Sequence, residues 1–455
     1  MTDVKKMKKF DTKKILDKAR EIQKKYSAFI TIADKIEANK NKGKLAGFAI
    51  TVKDNICTCG MQSTAGSKIL EGYIPPFDAT VIERVKAAGG TIIGKTAQDE
   101  FGFGTFSTNC AYGVPKNPID PSRTCGGSSG GAACVTAAAD FPHVAIAEST
   151  GGSISCPAAF TATVGLTPTY GRVSRWGLID YANSLDKIGP IAKCVKDAAL
   201  LLTVMSGHDS RDSTSANVKQ EDFTKCCVNN PKIKIGVPKE YFGEGVDKKI
   251  KKVVWQAIKK FEAEGAKVKE ISLPHTKFAL ASYYIIAMAE SSTNLAKFCG
   301  MRYGLHKPLQ GNYDEYFSAV RAAGFGEEAK RRIILGTYAR MAGYRDAYYL
   351  KALRVRTKVI ADFKAAFKSC DVLLAPTMPI LPPKFDKIAK LTPMQTYAMD
   401  ILTVGPNLAG IPMISVPCGF VNKLPVGLHV MTDHMHEAKA IQAAYTFENL
   451  NVKGE

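Results

Sequence analysis

The sequence has no apolar run that reaches the roughly 18 residues needed to cross a membrane. Its longest apolar stretch, residues 278–289, is too short and carries two tyrosines. The first 25 residues lack the apolar core of a secretory signal, and they carry acidic residues that transit peptides avoid. These absences predict a cytoplasmic protein that makes no contact with a membrane.

Paired cysteines and metal-ligand spacings are also missing. The twelve cysteines are scattered along the chain. The close pairs Cys57-x-Cys59 and Cys226-Cys227 lack the second pair of ligands that a zinc site needs. We therefore expect free thiols in a reducing compartment, no disulfide framework, and no metal or other cofactor held by this chain.

Acidic residues are too few to balance the basic ones. The chain has 62 Lys and Arg against 42 Asp and Glu, which gives a formal net charge of +20 at pH 7. A basic surface suits nucleic acid or an acidic partner. Here the lysines are spread along the whole chain without interleaved aromatics, and no RNA-binding motif is present. This favours solvated lysines that aid solubility. Direct contact with tRNA is the alternative, which salt-dependent association would reveal.

What the sequence does contain is a glycine-rich turn. Residues 124–131 read Thr-Cys-Gly-Gly-Ser-Ser-Gly-Gly, and a run of small residues follows at 132–139. Glycines permit close backbone approach, and the small-residue run predicts a buried helix. The turn matches neither the P-loop nor the G-x-G-x-x-G pattern. Taken alone, it is equally compatible with a catalytic loop and with a plain tight connection.

Short apolar segments alternate with helical patterns through the chain. We predict strands at 47–54, 90–95, 144–147, 233–237, 372–375, 414–416 and 426–431. We predict helices at 80–88, 196–205, 247–264, 278–297 and 342–367, and an amphipathic N-terminal helix at about 5–26. The β–α–β order near the N-terminus implies parallel pairing. The expected protein is of the α/β class, with a mixed β-sheet core sandwiched between α-helices. We predict a single domain over 1–455 with an all-helical excursion at about 279–366.

Three polar side chains stand at the ends of these predicted elements. They are Lys53 after a strand, Ser128 in the glycine turn, and Ser153 after Thr150-Gly151-Gly152. A serine hydroxyl is a weak nucleophile until a neighbouring base takes its proton. A lysine can be that base only in its neutral form, which burial favours. A second serine can donate to one partner while it accepts from the other.

The segments 127–130, 150–154 and 52–54 resemble the amidase signature family. The resemblance implies the amidase signature fold and a Ser–cis-Ser–Lys triad, with Ser153 as nucleophile, Ser128 as bridging serine and Lys53 as base. It also implies an oxyanion hole formed by the backbone N–H groups of Thr150, Gly151, Gly152 and Ser153. The stretch between the two serines is one residue longer than in bacterial members, and we place that residue in the 140–143 loop.

Further segments resemble the glutaminase subunits of tRNA-dependent amidotransferases. They are 168–175, 184–190, 209–215, 291–296, 302–304 and 330–337. The resemblance implies hydrolysis of L-glutamine, with the ammonia passed to a partner that amidates Glu-tRNA(Gln) or Asp-tRNA(Asn). It implies subunits B and C as partners, misacylated tRNA bound mainly through the partner, and ATP and Mg²⁺ used by the partner.

Glutamine offers an α-carboxylate and an α-ammonium group, which suit a guanidinium and a carboxylate respectively. By resemblance these roles fall to Arg332 and Asp400, with Tyr303 supplying a hydroxyl; Arg331 is the alternative to Arg332. The loop 103–106 departs from the family pattern and leaves the substrate range open. Two other functions remain as alternatives: a stand-alone amidase acting on small or aliphatic amides, and a non-enzymatic tRNA-binding scaffold.

Overall fold

The computed structural model describes residues 11–37, 39 and 41–452. In that part of the chain eleven strands form one sheet. The strands are β1 (Phe29–Ile32), β2 (Ala49–Lys53), β3 (Thr91–Thr96), β4 (His143–Ser149), β5 (Val164–Thr167), β6 (Lys187–Ala192), β7 (Lys234–Pro238), β8 (Lys267–Ile271), β9 (Val372–Pro376), β10 (Met413–Val421) and β11 (Leu424–Met431). Their order across the sheet is β1-β3-β2-β4-β6-β5-β10-β11-β9-β7-β8. Both halves of the sequence thus contribute strands to one sheet.

Fourteen α-helices are found in the described residues. They are α1 (Thr12–Tyr26), α2 (Thr80–Ala87), α3 (Gly130–Ala138), α4 (Ser155–Thr161), α5 (Val195–Met205), α6 (Lys248–Ala263), α7 (Ala279–Asn294), α8 (Tyr313–Gly324), α9 (Glu327–Arg340), α10 (Lys351–Phe367), α11 (Phe385–Ile388), α12 (Pro393–Ala398), α13 (Val404–Ala409) and α14 (Glu437–Val452). None of these helices is both long and apolar enough to cross a membrane.

The sheet is mixed, as the sequence predicts. β2 pairs in parallel with β3 and β4, and β7 pairs in parallel with β8 and β9. The other neighbours are antiparallel. Each of the seven predicted strands is present, with ends that differ by up to five residues. The structure adds four strands that the sequence did not reveal, β1, β5, β6 and β8.

Helices cover both faces of the sheet, as the two faces of β4 show. Alternate residues of a strand point to opposite faces. Val144 and Ile146 belong to the main hydrophobic core, which includes residues of α2 and α5. Ala145 and Ala147 instead contact Ala132 and Ala133 of α3. The small side chains of α3 allow the helix that follows the glycine turn to lie close against the sheet.

The N-terminal helix begins at Thr12, and the predicted residues 5–10 lie outside the described part of the chain. The Asp11 side chain accepts the Lys14 N–H and caps the helix, and Ser27 ends it in the left-handed conformation. The apolar residues Ile15 and Ile22 are buried against the body. For the described residues, the amphipathic prediction is confirmed.

Every named element between α7 and α10 is helical. The predicted helix over 342–367 begins later than expected: residues 342–345 form a turn, and a single turn of π-helix, Asp346–Leu350, leads into α10. Helix α7 packs against α9 and α10. Its residues Tyr283 and Tyr284 reach the end of the sheet at which Lys53 and Ser153 lie.

Candidate active site

Lys53 lies at the carboxyl end of β2, which is buried along its whole length. β2 runs parallel to β4, with Val52 opposite Ile146. Because the carboxyl ends of parallel strands meet at one edge of a sheet, Lys53 and the segment after β4 come together there. The Lys53 side chain has no exposed surface.

Lys53 has three polar neighbours. Its Nζ lies 2.8 Å from Ser128 Oγ, 3.0 Å from the main-chain oxygen of Glu148 and 2.8 Å from Glu148 Oε2. Ser128 and Glu148 are as fully buried as Lys53. The predicted base and the predicted bridging serine are thus in direct contact, away from solvent.

The glycine turn rests on a buried carboxyl group. The peptide bond between Gly127 and Ser128 is cis. A Cβ at Gly127 would lie 2.3 Å from a carboxylate oxygen of Asp99, so a larger residue does not fit. Asp99 in turn accepts the N–H groups of Ser107 and Asn109 at 2.8 and 2.9 Å. These contacts fix the turn that carries Ser128.

Ser153 lies in the turn after β4 and retains 7% of its accessible surface. Within the described chain its hydroxyl takes part in no hydrogen bond, and none joins it to Ser128. Its main-chain oxygen accepts the Ser129 N–H at 3.3 Å, which ties the two serine turns together. The Ser153 oxygen is therefore free to meet a ligand.

The predicted oxyanion-hole residues form an open run of backbone. The N–H groups of Gly151, Gly152 and Ser153 donate to no acceptor among the described residues. A Cβ at Gly151 would lie 2.4 Å from the Tyr283 hydroxyl oxygen, and one at Gly152 would lie 2.3 Å from Thr403 Oγ1. Preorganised donors of this kind stabilise an oxygen that becomes negative during a reaction.

Ser153 opens onto a small cavity that has room for about one water molecule. Its lining residues are Gly102, Gly104, Gly127, Gly151, Gly152, Ser153, Tyr283, Tyr284, Arg332 and Asp400. The glycines expose backbone to the cavity, while the guanidinium and the carboxyl group are its charged side chains. A wider cleft adjoins it and shares Gly104 and Arg332. The two charged side chains of the lining, Arg332 and Asp400, match a ligand that carries both a negative and a positive group.

Arg332, on α9, is 3% exposed. Its Nε donates to Glu328 Oε1 at 2.8 Å, and its Nη1 donates to the Tyr181 hydroxyl at 2.6 Å. Four aromatic rings lie 5.1–5.7 Å from the guanidinium carbon, those of Phe103, Tyr181, Tyr284 and Tyr397. Nη2 has no hydrogen-bond partner in the described chain, which leaves two N–H donors for a ligand.

Asp400 follows α12 and is partly buried. Its Oδ2 accepts the hydroxyl groups of Tyr284 at 2.6 Å and of Thr105 at 3.1 Å. Burial raises the pKa of Asp400 to about 6, although these two hydrogen bonds act in the opposite direction. Above that pH, Arg332 and Asp400 present opposite charges to the same cavity.

The two adjacent arginines have different surroundings. Arg331 is one-third exposed and pairs with Glu327 at 2.9 Å and with Glu328. It lines the wider cleft but not the cavity of Ser153. The structure therefore brings Arg332, and not Arg331, to the predicted nucleophile.

Tyr303 is not brought to the cavity. Its ring contacts those of Tyr73 and Phe298, with centroids 5.5 and 6.0 Å apart. The tyrosines that line the cavity are Tyr283 and Tyr284 of α7. The resemblance implies a tyrosine hydroxyl beside the ligand, and in this structure α7 supplies the nearby hydroxyl groups.

Several residues of the site were missed at the level of sequence, and Glu148 is the main one. Its carboxylate contacts Lys53, and its other oxygen lies 2.8 Å from the Thr150 hydroxyl oxygen. One signal was available: Glu148 ends the otherwise apolar run 144–147. A carboxylate in a buried strand is rare unless it has a partner.

The amidase family profile matches residues 12–441. The chain is 53% identical to the A subunit of glutamyl-tRNA(Gln) amidotransferase from Methanococcoides burtonii, over 91% of this chain and 87% of that protein. It is 51% identical to the protein of the same name in Methanosarcina mazei, over 93% and 90%. The crystal structure of the A subunit of glutamyl-tRNA(Gln) amidotransferase from Thermotoga maritima superposes with a TM-score of 0.82 at 36% identity, and covers 99% of this chain and 96% of that one.

The matched region contains every residue of the site described above, from Lys53 to Asp400. The chain belongs to the amidase family, and over nearly its whole length it is similar to A subunits of glutamyl-tRNA(Gln) amidotransferases.

Proposed function

We propose that this protein is a glutamine amidohydrolase, the subunit that supplies ammonia to a tRNA-dependent amidotransferase. The observation that carries the proposal is a buried lysine 2.8 Å from the hydroxyl of Ser128, whose turn is hydrogen-bonded to the turn of a second serine, Ser153. Ser153 opens onto a cavity with one cationic and one anionic side chain. The lysine supplies a base for the attack, and the two charged side chains supply a means of holding an amino acid.

Catalysis begins with Lys53 as a neutral amine. The Ser153 hydroxyl, which makes no hydrogen bond with Ser128 in this structure, first turns to donate to Ser128 Oγ. Lys53 then takes the Ser128 proton while Ser128 takes the Ser153 proton, and Ser153 Oγ attacks the side-chain carbonyl of glutamine. A hydroxyl can act in this way because it donates and accepts at once. The covalent intermediate splits one difficult hydrolysis into two easier steps.

The turn 150–153 stabilises the oxygen that becomes negative. Its free backbone N–H groups are held in place before the reaction, so no reorganisation is needed, and one such donor is worth about 3–4 kcal/mol in the transition state. The relay then runs in reverse and protonates the leaving ammonia. Water enters, and hydrolysis of the acyl-enzyme releases glutamate.

Arg332 and Asp400 hold the backbone of the substrate in this proposal. The two free donors of Arg332 match the α-carboxylate, and the Asp400 carboxylate matches the α-ammonium group. Tyr303, proposed from the family resemblance, adds a hydroxyl only if the segment around it moves toward the cavity. The glutamine side chain then extends toward Ser153.

The ammonia passes to partner subunits B and C, which bind misacylated tRNA and use ATP and Mg²⁺. The M. burtonii, M. mazei and T. maritima relatives are all named as subunits of an amidotransferase for Glu-tRNA(Gln). That shared name supports Glu-tRNA(Gln) as the acceptor, with Asp-tRNA(Asn) as the alternative that a direct assay decides. We propose the cytoplasm as the site of action.

The test compares Ser153→Ala with Ser155→Ala in the protein purified with its partners. Glutamate release should fall by at least about 10⁴-fold in Ser153→Ala, because the attacking atom is gone. Ser155→Ala is the matched control, since its buried hydroxyl has no hydrogen-bond partner in the described chain. Ammonia release from glutamine at a near-normal rate by Ser153→Ala refutes the assignment.

Two further measurements separate the alternatives. A stand-alone amidase turns over amides fully without partners, whereas the rate of a channelled glutaminase rises when its partners and charged tRNA bind. A tRNA-binding scaffold would show no labelling of Ser153 by a serine-directed fluorophosphonate. Labelling of Ser153 together with acceleration by charged tRNA supports the proposed function over both.

A further inference from the structure

A buried carboxyl network lies behind Lys53 and has no role in the reaction as described so far. Glu148 Oε2 is 2.8 Å from Lys53 Nζ, and the exposed fractions of the two side chains are 1% and 0%. The same oxygen accepts the Asn55 side-chain N–H at 3.2 Å. The other oxygen, Oε1, lies 2.8 Å from the Thr150 hydroxyl oxygen. Glu148 does not line the cavity.

The Thr150 hydroxyl joins two carboxyl groups. Its oxygen lies 2.8 Å from Glu148 Oε1 and 2.8 Å from Asp186 Oδ1. A hydroxyl carries one proton and can donate to only one of them, so the other carboxyl group must be protonated and donate to the hydroxyl oxygen. The second oxygen of Asp186 accepts the N–H groups of Tyr181 and Ala182 at 2.9 and 3.0 Å.

Asp186 is the carboxyl group that holds the proton. Burial and the charge of Glu148 raise the pKa of Asp186 well above its usual range. Glu148, in contrast, has the Lys53 amine as a direct partner. The network therefore carries one negative charge, on Glu148, opposite the base.

The three polar neighbours of Lys53 Nζ fix the direction in which its lone pair points. A neutral lysine amine has two N–H donors and one lone pair. Two of its neighbours, the Glu148 carbonyl oxygen and carboxylate, can only accept, and they take up both donors. The lone pair is left for the third neighbour, the Ser128 hydroxyl.

We propose that Glu148 is a positioning residue of the reaction, which aims the Lys53 lone pair at Ser128 and stabilises the ammonium group formed when Lys53 takes the proton. The inference rests on the proposed function, in which Lys53 is the base. The carboxylate of a Ser-His-Asp triad acts on its histidine in the same two ways. The proton moves from Ser128 to Lys53 Nζ and later returns through Ser128 to the leaving ammonia. Glu148 stays ionised and Asp186 stays protonated throughout.

Other titratable groups face this network and bear on its pH dependence. Asp99 interacts with Lys53, and Arg175 with Asp186. Lys187 of β6 interacts with both carboxyl groups, and its buried Nζ has no hydrogen-bond partner in the described chain. Burial lowers the pKa of Lys187 to about 7. A Lys187→Met variant is therefore included, to identify any titration near neutral pH that belongs to Lys187.

The experiment compares Glu148→Gln with Asp186→Asn in the protein purified with its partners. The rate of Ser153 labelling by a fluorophosphonate is measured from pH 5 to pH 10. In Glu148→Gln the maximal rate should fall on the order of 10²-fold, because the ammonium loses its stabilising charge. The acidic limb of the profile should move to lower pH, since loss of the negative charge beside Lys53 favours the neutral amine. The KM for glutamine should stay unchanged.

Asp186→Asn should leave the acidic limb in place. The asparagine N–H donates to Thr150 as the protonated carboxyl does, and its oxygen still accepts the two backbone N–H groups. If Asp186 were ionised, the same substitution would remove a negative charge and move the limb to lower pH. Glu437→Gln controls for loss of a buried, ion-paired carboxylate elsewhere, because Glu437 pairs with Arg172 and contacts none of these residues.

The outcomes are distinct. A Glu148→Gln profile that superposes on the wild-type profile overturns the positioning role, and so does a rise in KM without a fall in labelling rate. A shift of the acidic limb in Asp186→Asn overturns the assignment of the proton to Asp186. This variant therefore tests the charge state of the network even if Glu148→Gln does not fold. If Ser153 is not labelled in the wild-type protein, the proposed function itself is refuted. That outcome is distinct from the others, because the effects of both variants are measured relative to the wild-type labelling rate.

Discussion

Two groups of predicted site residues differ in where they lie. The first group lies at or next to strand ends and in glycine turns, and consists of Lys53, Ser128 and Ser153. The second group lies on helices or in the segments between them, and consists of Arg332, Asp400 and Tyr303. We call the first three the strand-end group and the second three the helical group. The strand-end group is fixed at one edge of the sheet: Lys53 and Ser128 touch, and the Ser129 N–H donates to the main-chain oxygen of Ser153. The helical group is assembled from distant segments, and Tyr303 is not brought to the cavity. The residues proposed for the chemistry are thus held by the sheet, and those proposed to recognise the ligand are held by packing between helices.

Among substitutions that leave the Ser153 nucleophile in place, the largest effect is expected from Lys53→Met, which removes the base from the strand-end group. The rate of glutamine hydrolysis should fall about 10²- to 10⁴-fold. The substitution also takes the Lys53 N–H donor away from the buried Glu148 carboxylate, which should lower the free energy of unfolding by about 1–3 kcal/mol. The double variant Lys53→Met/Glu148→Gln should recover stability but not activity. Thermal unfolding and glutamate release measure the two effects separately, and recovery of activity in the double variant would contradict the assignment of the base.

Arg332→Lys tests the helical group. A lysine cannot make the two-pronged contact of a guanidinium, and the loss of about 2 kcal/mol should raise the KM for glutamine roughly 30-fold. The rate at saturating glutamine should change much less. Arg331→Lys is the matched control, because Arg331 faces Glu327 and solvent. Equal effects of the two substitutions would show that the cavity is not where glutamine binds.

The affinity for glutamine should depend on the charge of Asp400. Its pKa is raised to about 6 by burial, so the carboxylate is present above that pH and is protonated below it. Binding should therefore weaken as the pH falls through about 6, because the α-ammonium group loses its partner. Calorimetric titration of the Ser153→Ala protein from pH 5 to pH 8 measures binding without turnover. Asp400→Asn should bind weakly over the whole range, and a retained pH dependence in that variant would assign the titration to another group.

The smallest effect is expected from Tyr303→Phe. In this structure Tyr303 contacts Tyr73 and Phe298, so removal of its hydroxyl should change the KM for glutamine less than about threefold, the cost of one weak hydrogen bond. Tyr284→Phe should cost more, because the Tyr284 hydroxyl donates to Asp400 at 2.6 Å. The reverse order would show that the segment around Tyr303 closes over the cavity when glutamine binds.

The same contrast explains what could be predicted from sequence. The strand-end group follows short apolar runs and sits in glycine turns, so local pattern and family resemblance both point to it. Two of the missed strands lack such a pattern: β6 contains Gly189 and Pro190, and β8 is mostly charged and lies at the edge of the sheet. Tertiary pairing, and not local sequence, makes them strands.

The helical group could be predicted only in part. Adjacent arginines on a helix point in different directions, and only the packing of four rings around Arg332 selects it over Arg331. The pattern does not reveal which tyrosine reaches the cavity, because α7 and the segment around Tyr303 are both rich in aromatics. Glu148 escaped notice for another reason: its importance comes from a contact across two strands.

Thr403 fills the space in which a Cβ at Gly152 would lie, and its N–H donates to the main-chain oxygen of Asp400 at 3.0 Å. The segment 400–403 therefore begins at Asp400, the proposed partner of the ligand's ammonium group. It ends at Thr403, which contacts the backbone next to Ser153. The proposed recognition of the amino acid and the proposed attack on it therefore depend on the same short segment of backbone, residues 400–403.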